Sequence, residues 1–325
     1  MRLRPLVLTL AIAGSLVAGG YFAVHEGRAR YVAPGPLPKP TTLIVPHGTH
    51  AEVGVALAKA GLVADAQEFR IAAMVTAGGG PLRASEFVFP ANASLREVLL
   101  ILRNGRPVQH RLTIPEGLTA AQIALLLDHA AALAGDVPVP AEGALLPESY
   151  AFEHGMTRAA MVDRAGNAMQ RSLARLWAER DETIPLATPQ QLVALASIVE
   201  RETARPEERA RVAGVFLNRL KRNMPLQSDP TVIYAVTGGA MSGGRTLSRG
   251  DLDFDNPYNT YRSAGIPPGP IGSPGIAAMQ AVARPLATDE LYFVADGTGG
   301  HVFARTLEDH NRNVARWRAS QVPAR

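Results

Sequence analysis

One carboxylate in this 325-residue chain stands where its surroundings favour chemistry. Glu200 closes the run Ala194-Leu195-Ala196-Ser197-Ile198-Val199. On a helix, Val193, Ser197 and Glu200 share a face at i, i+4, i+7, so Glu200 borders the apolar stripe. Partial desolvation there disfavours the charged form and raises the pKa. A Glu that stays protonated near neutral pH can serve as a general acid; the same position also suits a structural ion pair with Arg201 or Arg205. Two polar segments follow. Met224 to Thr231 brings Gln227, Ser228 and Asp229; Asn256 to Tyr261 brings Tyr258, Asn259 and Tyr261. Tyr faces beside amides and hydroxyls suit a sugar, whose ring stacks and whose hydroxyls bond. The same residue types also cap their own loops. Asp229 is the second carboxylate to consider, and Pro230 beside it points to a turn-organising role.

Absences remove other chemistries. With no Cys there is no thiol nucleophile, disulfide framework or Cys-ligated metal. The only lysines, Lys39, Lys59 and Lys221, complete no phosphate loop. No His-Glu-x-x-His spacing occurs, and His301 and His310 lack a third spaced ligand, so no metal or cofactor is expected. The net charge of +4 is spread along the chain, which argues against a nucleic-acid partner. Ala240-Met241-Ser242-Gly243-Gly244 is a poor nucleophile elbow, since no strand leads into it.

The elements that must position Glu200 are legible around it. Thr188-Pro189-Gln190-Gln191 starts its helix, and Arg205-Pro206 breaks it. A second helix runs to about Arg222. From Asn223 to Gly275 the chain reads as a long Gly-, Pro- and Asn-rich loop region of the kind that builds a site. Leu291-Tyr292-Phe293-Val294 and His301-Val302-Phe303 read as a hairpin closed by Asp296 to Gly300. Upstream, Leu43-Ile44-Val45-Pro46-His47-Gly48-Thr49 repeats at an offset of 69 as Leu112-Thr113-Ile114-Pro115-Glu116-Gly117-Leu118, with Leu57 matching Leu126. Each copy reads as a strand, a Pro-x-Gly turn and a capped helix, with capping boxes at Thr49/Glu52 and Thr119/Gln122. A related unit carries Ser94/Glu97 after Phe87-Val88-Phe89-Pro90. Such units look like LysM-type glycan-binding modules. At the N-terminus, Leu6 to Val24 is free of charge for 19 residues, close to the span of a bilayer. Arg2 and Arg4 precede it, so the expectation is a single-pass anchor with a cytoplasmic N-terminus, the alternative being a cleaved signal peptide.

Several motifs in order resemble the YceG-like endolytic murein transglycosylases. They are Leu195 to Thr203, Val215 to Leu220, Leu226 to Tyr234, Pro257 to Tyr261, Gly265 to Ile271, and the end from Tyr292 through His310-Asn311. Ala144 after Gly143, and Ser273 before Pro274, depart from the pattern. The resemblance implies an α+β protein: residues 1–24 as cytoplasmic stub and transmembrane helix, 25–40 as Pro-rich spacer, 41–141 as a LysM-like region, and 142–325 as a lytic transglycosylase catalytic domain. It implies Glu200 as the catalytic acid/base, with Gln227, Ser228, Asp229, Tyr258, Asn259 and Tyr261 as substrate contacts. It further implies cleavage of the β-1,4 bond between N-acetylmuramic acid and N-acetylglucosamine in nascent glycan, leaving 1,6-anhydro ends, at the inner membrane beside peptidoglycan synthases. The rivals are a muramidase-type hydrolase using Glu200 and Asp229, and a non-catalytic peptidoglycan-binding protein.

Overall fold

The computed structural model describes residues 3–240 and 246–320, with side chains from Ala13 onward. It is a mixed α+β protein of twelve α-helices and six strands among the described residues, divided into two compact units. The first unit holds residues 1–110 and 152–155; the second holds 111–151 and 156–325. Residues 111–141, grouped by sequence with the strand–helix region, thus fold with the second unit. The reason is that the second Pro-x-Gly turn bonds to residues far along the chain, as shown below.

In the first unit, helix α1 (Leu3–Val32) leads into the Pro-rich segment. That segment is no free spacer: Leu37 is buried, Gly35 donates its N–H to Asn92 O, and Asn92 donates its N–H to Leu37 O. No helix among the described residues is long and apolar enough to cross a membrane. Residues 6–12 of the uncharged run lie outside the described side chains. Strand β1 (Thr41–Ile44) pairs antiparallel with β2 (Glu86–Phe89), Leu43 facing Phe87. Helices α2 (His50–Lys59), α3 (Ala66–Val75) and α4 (Leu95–Asn104) pack on this pair. Their common core is Leu57, Phe69, Phe87, Phe89, Leu99 and Leu102, all buried.

The chain passes between the units within β3 (Gln109–Thr113) and its partner β4 (Ser149–Glu153). The repeated unit is real in three dimensions. The capping boxes at Thr49/Glu52, Ser94/Glu97 and Thr119/Gln122 are all formed. Each repeated strand runs one residue on: Val45 donates to Ser85 O, and Ile114 donates to Glu148 O. By cap position the offset is 70 rather than 69, because Leu118 is an extra residue between Gly117 and Thr119; Leu57 corresponds to Leu127. After that turn comes α5 (Ala120–Asp128).

The second unit is built around α7 (Pro189–Glu202), in which every residue from Leu192 to Val199 is buried. Around it lie α6 (Arg158–Ala178), α8 (Arg209–Lys221) and α11 (Ile276–Ala283). Leu176, Leu195, Phe216 and Met279 join in one core. The expected hairpin forms, as β5 (Tyr292–Ala295) against β6 (His301–Ala304), and α12 (Leu307–Ser320) follows. Its turn is fixed by Asp296, which accepts from the N–H groups of Thr298 and Gly300. The segment read as loop contains helices α9 (Asp229–Thr237) and α10 (Arg249–Leu252). Asp229-Pro230 opens a helix instead of a turn, because Pro is suited to the first helical positions and Thr231, Val232 and Ile233 find a core. The Ser242 segment lies outside the described residues.

Candidate active site

Burial of the whole α7 midsection places Glu200 in the last turn, where the helix leaves the core. Its side chain is only 4% exposed. Two groups hold it: Arg209 Nη2 donates to Oε1 at 3.0 Å, and the Gly275 N–H donates to Oε2 at 2.9 Å. Arg209 begins α8, where the helix dipole disfavours a cation. Carboxylates offset that cost: the same Nη2 also donates to Glu116 Oε2 at 3.3 Å. Gly275 caps α11, so its backbone N–H points outward from that helix toward Glu200. Burial raises the affinity of Glu200 for its proton and the nearby charge of Glu116 adds to that; the Gly275 N–H and Arg209 pull the other way. The loop carrying Gly275 is pinned to the back of α7: Ser197 Oγ accepts the Ile271 N–H at 3.0 Å, and Arg201 Nη1 donates to Ile271 O at 3.2 Å.

Glu202, two residues on, points to the other side of α7, since two residues turn a helix by about 200°. The polar segments picked out by sequence gather there. Ser228 Oγ donates to Glu202 Oε1 at 2.5 Å, and Tyr261 Oη donates to Asp229 Oδ1 at 2.6 Å. Gln227 sits at φ 53° and accepts from Arg219 Nη1 at 3.3 Å. Burial pushes the Glu202 carboxyl up to about 7, against the bond from Ser228 and with the charge of Asp229 adding. Ser228 and Asn259 are 1% and 0% exposed. Asn259 Nδ2 donates to Leu252 O and Phe254 O, and its Oδ1 accepts the Tyr261 N–H. Both residues therefore lock loops in this structure and present no free polar group to a ligand. Gln227 and Asp229 are exposed, and Tyr258 and Tyr261 are partly so. Tyr258 pairs with Tyr234 at 4.9 Å between ring centroids. Tyr234 Oη donates to Glu142 Oε2 at 3.2 Å, and burial raises the Glu142 carboxyl.

The structure thus does not join Asp229 to Glu200; it joins Asp229 to Tyr261 and sets it near Glu202. The residues that do meet Glu200, Glu116 and Arg209, escape a reading of local sequence. Arg209 carries one signal, a cation in the first turn of a helix. Glu116 carries another, as the residue that replaces His47 when the two Pro-x-Gly turns are aligned.

The chain is similar to known proteins over most of its length. A model of the YceG-like family matches residues 43–316. The chain is 32% identical over 355 residues to a Streptococcus pneumoniae protein named endolytic murein transglycosylase, covering 92% of this chain and 62% of that one. A Bacillus subtilis protein of the same name is 36% identical over 182 residues, covering 56% of this chain and 49% of that one. The chain therefore spans roughly half to three-fifths of the length of these relatives. A 2.6 Å crystal structure of a yceG-like protein from Listeria monocytogenes matches with a TM-score of 0.55 at 26% identity, covering 84% of this chain and 98% of that one.

Proposed function

The chain belongs to the YceG-like family, and on that premise we propose that it is an endolytic peptidoglycan lytic transglycosylase with Glu200 as its acid/base. The observation that carries this reading is a carboxyl 4% exposed, raised toward its protonated form by burial, at the end of the central helix of the second unit. Glu200 protonates the glycosidic oxygen as the C1–O bond of N-acetylmuramic acid breaks. The resulting carboxylate then takes the proton of the same sugar's C6 hydroxyl as the O6–C1 bond closes. The proton returns to Glu200, so one residue completes the cycle, by the acid-then-base logic of glycosidases.

The geometry favours this over hydrolysis. An inverting hydrolase needs a second carboxylate about 6.5–9.5 Å away with water between, and a retaining one needs a nucleophile about 5 Å away across the sugar. Asp229 is engaged elsewhere, and Glu116 touches the same Arg209 nitrogen as Glu200, which leaves no room for a sugar ring between them. Gln227, Asp229, Tyr258 and Tyr261 are the exposed or partly exposed groups that offer contacts to the glycan, while Ser228 and Asn259 shape the loops that carry them.

The strand–turn–helix units of the first unit resemble LysM-type modules and suit a supporting glycan contact. The uncharged run Leu6–Val24 suits a single-pass anchor in the inner membrane with the bulk of the chain periplasmic. Leu16, Val17, Tyr21 and Phe22 are 70–74% exposed on α1, apolar side chains with no protein covering them. An enzyme so anchored cuts nascent strands near the synthases that extend them. Mass spectrometry of the ends released from purified glycan strands tests the reaction: 1,6-anhydromuramic ends are expected, and reducing muramic ends would establish hydrolysis instead.

A further inference from the structure

Glu116 is held at Glu200 by more than one bond. Its Oε1 occupies the space where any side chain at position 275 would begin: a Cβ built on Gly275 falls 1.8 Å from it. Gly275 has an ordinary φ of −73°, so its backbone does not require glycine; the carboxyl packed on it does. The turn that delivers Glu116 is fastened twice to the same loop. Gly117 donates its N–H to Ser273 O, and Ser273 donates its N–H to Leu118 O, both at 2.8 Å. A Cβ on Gly272 would fall 2.7 Å from Gly117 O, so this loop too is trimmed to admit the turn.

Resting on the reading of Glu200 as the acid, we infer that Glu116 is its positioning residue, sharing Arg209 with it and setting which of the two carboxyls carries the transferable proton. Arg209 alone, bonded to Glu200, would favour the carboxylate and make a poor acid. Glu116 draws on the same N–H and places a second negative charge beside the first, which raises the affinity of Glu200 for its proton. The charged groups that bear on Glu200 are Glu116 from the turn and Arg209 from α8; α11 brings only the Gly275 N–H. Exposure separates the two carboxyls: Glu116 is 44% exposed, whereas Glu200 is 4% exposed.

The pH dependence of glycan cleavage tests this. An acid that works protonated loses activity as pH rises through its titration. In Glu116→Gln that alkaline limb moves to lower pH, with about a three- to tenfold loss at pH 8 that shrinks toward pH 5. Gly275→Ala, which evicts the Glu116 carboxyl with its charge intact, moves the limb in the same direction. A loss by one factor at every pH would mark Glu116 as merely structural and overturn the inference. Glu200→Gln retaining activity would instead sink the assignment of the acid. Site-resolved carbon-13 titration of the Glu200 carboxyl in the full chain reads the coupling without substrate. Its midpoint falls in Glu116→Gln; a midpoint that stays put contradicts the inference even if the chain cleaves no glycan.

Discussion

The two strand–turn–helix copies begin alike and end in different trades. In the first, the turn ends in exposed His47, and the carboxylate of the copy, Glu52, closes the capping box on Thr49. Bonds from the Thr49 backbone and hydroxyl hold that carboxyl below its ordinary range. In the second, the cap is closed by a neutral Gln122, and the carboxylate sits in the turn itself as Glu116. One extra residue, Leu118, supplies the carbonyl that fastens this turn to Ser273. The contrast extends to the units around them. Glu52 and Glu97 of the first unit are cap residues pulled toward ionisation, whereas Glu142, Glu200 and Glu202 of the second are pushed toward neutrality by burial. A carboxyl that caps a helix stabilises a fold; a carboxyl forced out of water becomes able to move a proton. The acid of the first copy closes its own helix cap, while that of the second reaches the Arg209 nitrogen that also holds buried Glu200.

Converting one copy toward the other should break this contrast in one direction only. Glu116→His puts the first turn's residue in the second turn and leaves Arg209 to favour ionised Glu200 alone. Release of soluble glycan fragments at pH 8 is expected to fall about three- to tenfold, as for Glu116→Gln, with the circular dichroism spectrum unchanged. The reciprocal His47→Glu is the smallest effect expected: stability within about 0.5 kcal/mol of wild type, as for surface substitutions generally.

Between these extremes lie two stability tests. Thr49→Ala removes a cap alone and should cost about 1 kcal/mol in chemical denaturation. Thr119→Ala removes a cap and also the hydroxyl that donates to Gly239 O at 2.6 Å in a fully buried setting. The loss there should be larger, about 2–3 kcal/mol, because a buried carbonyl is left unpaired. Equal losses would deny the second copy its tighter integration. Glu202 provides the other test. Its folded pKa of about 7 lies above the ordinary 4.5, so the fold holds a proton that the unfolded chain releases between those values. That contribution is complete below pH 4.5 and is lost as pH rises through 7. Glu202→Gln, which can still accept from Ser228, should therefore raise stability at pH 8 by about 1–2 kcal/mol relative to wild type, and leave pH 4 nearly unchanged.

Much of this was readable because it is local. Caps at Thr49, Ser94, Thr119 and Thr188, the β5–β6 hairpin, and the partial burial of Glu200 each follow from residues within one or two turns of each other. The site around Glu200 is not local. Glu116, Arg209 and Gly275 come from separate elements, and only packing of the core brings them within hydrogen-bond reach of one carboxyl. The polar segments were visible as polar but not as inward-facing: Ser228 and Asn259 satisfy buried backbone and carboxyl groups, a role that composition alone does not separate from sugar binding. Helix α9 hid behind Asp229-Pro230, a pair that opens turns and helices alike.

The role of Glu200 is tested most directly by comparing the ends of glycan fragments released by the wild-type chain and by Glu200→Gln, which keeps the shape of the side chain and removes its transferable proton. With Glu200 as the acid/base, the wild type yields 1,6-anhydromuramic ends and the variant loses at least about a hundredfold in rate, the scale of general acid–base catalysis. Anhydro ends formed at a similar rate by both proteins would show that the proton comes from elsewhere and that Glu200 is not the acid.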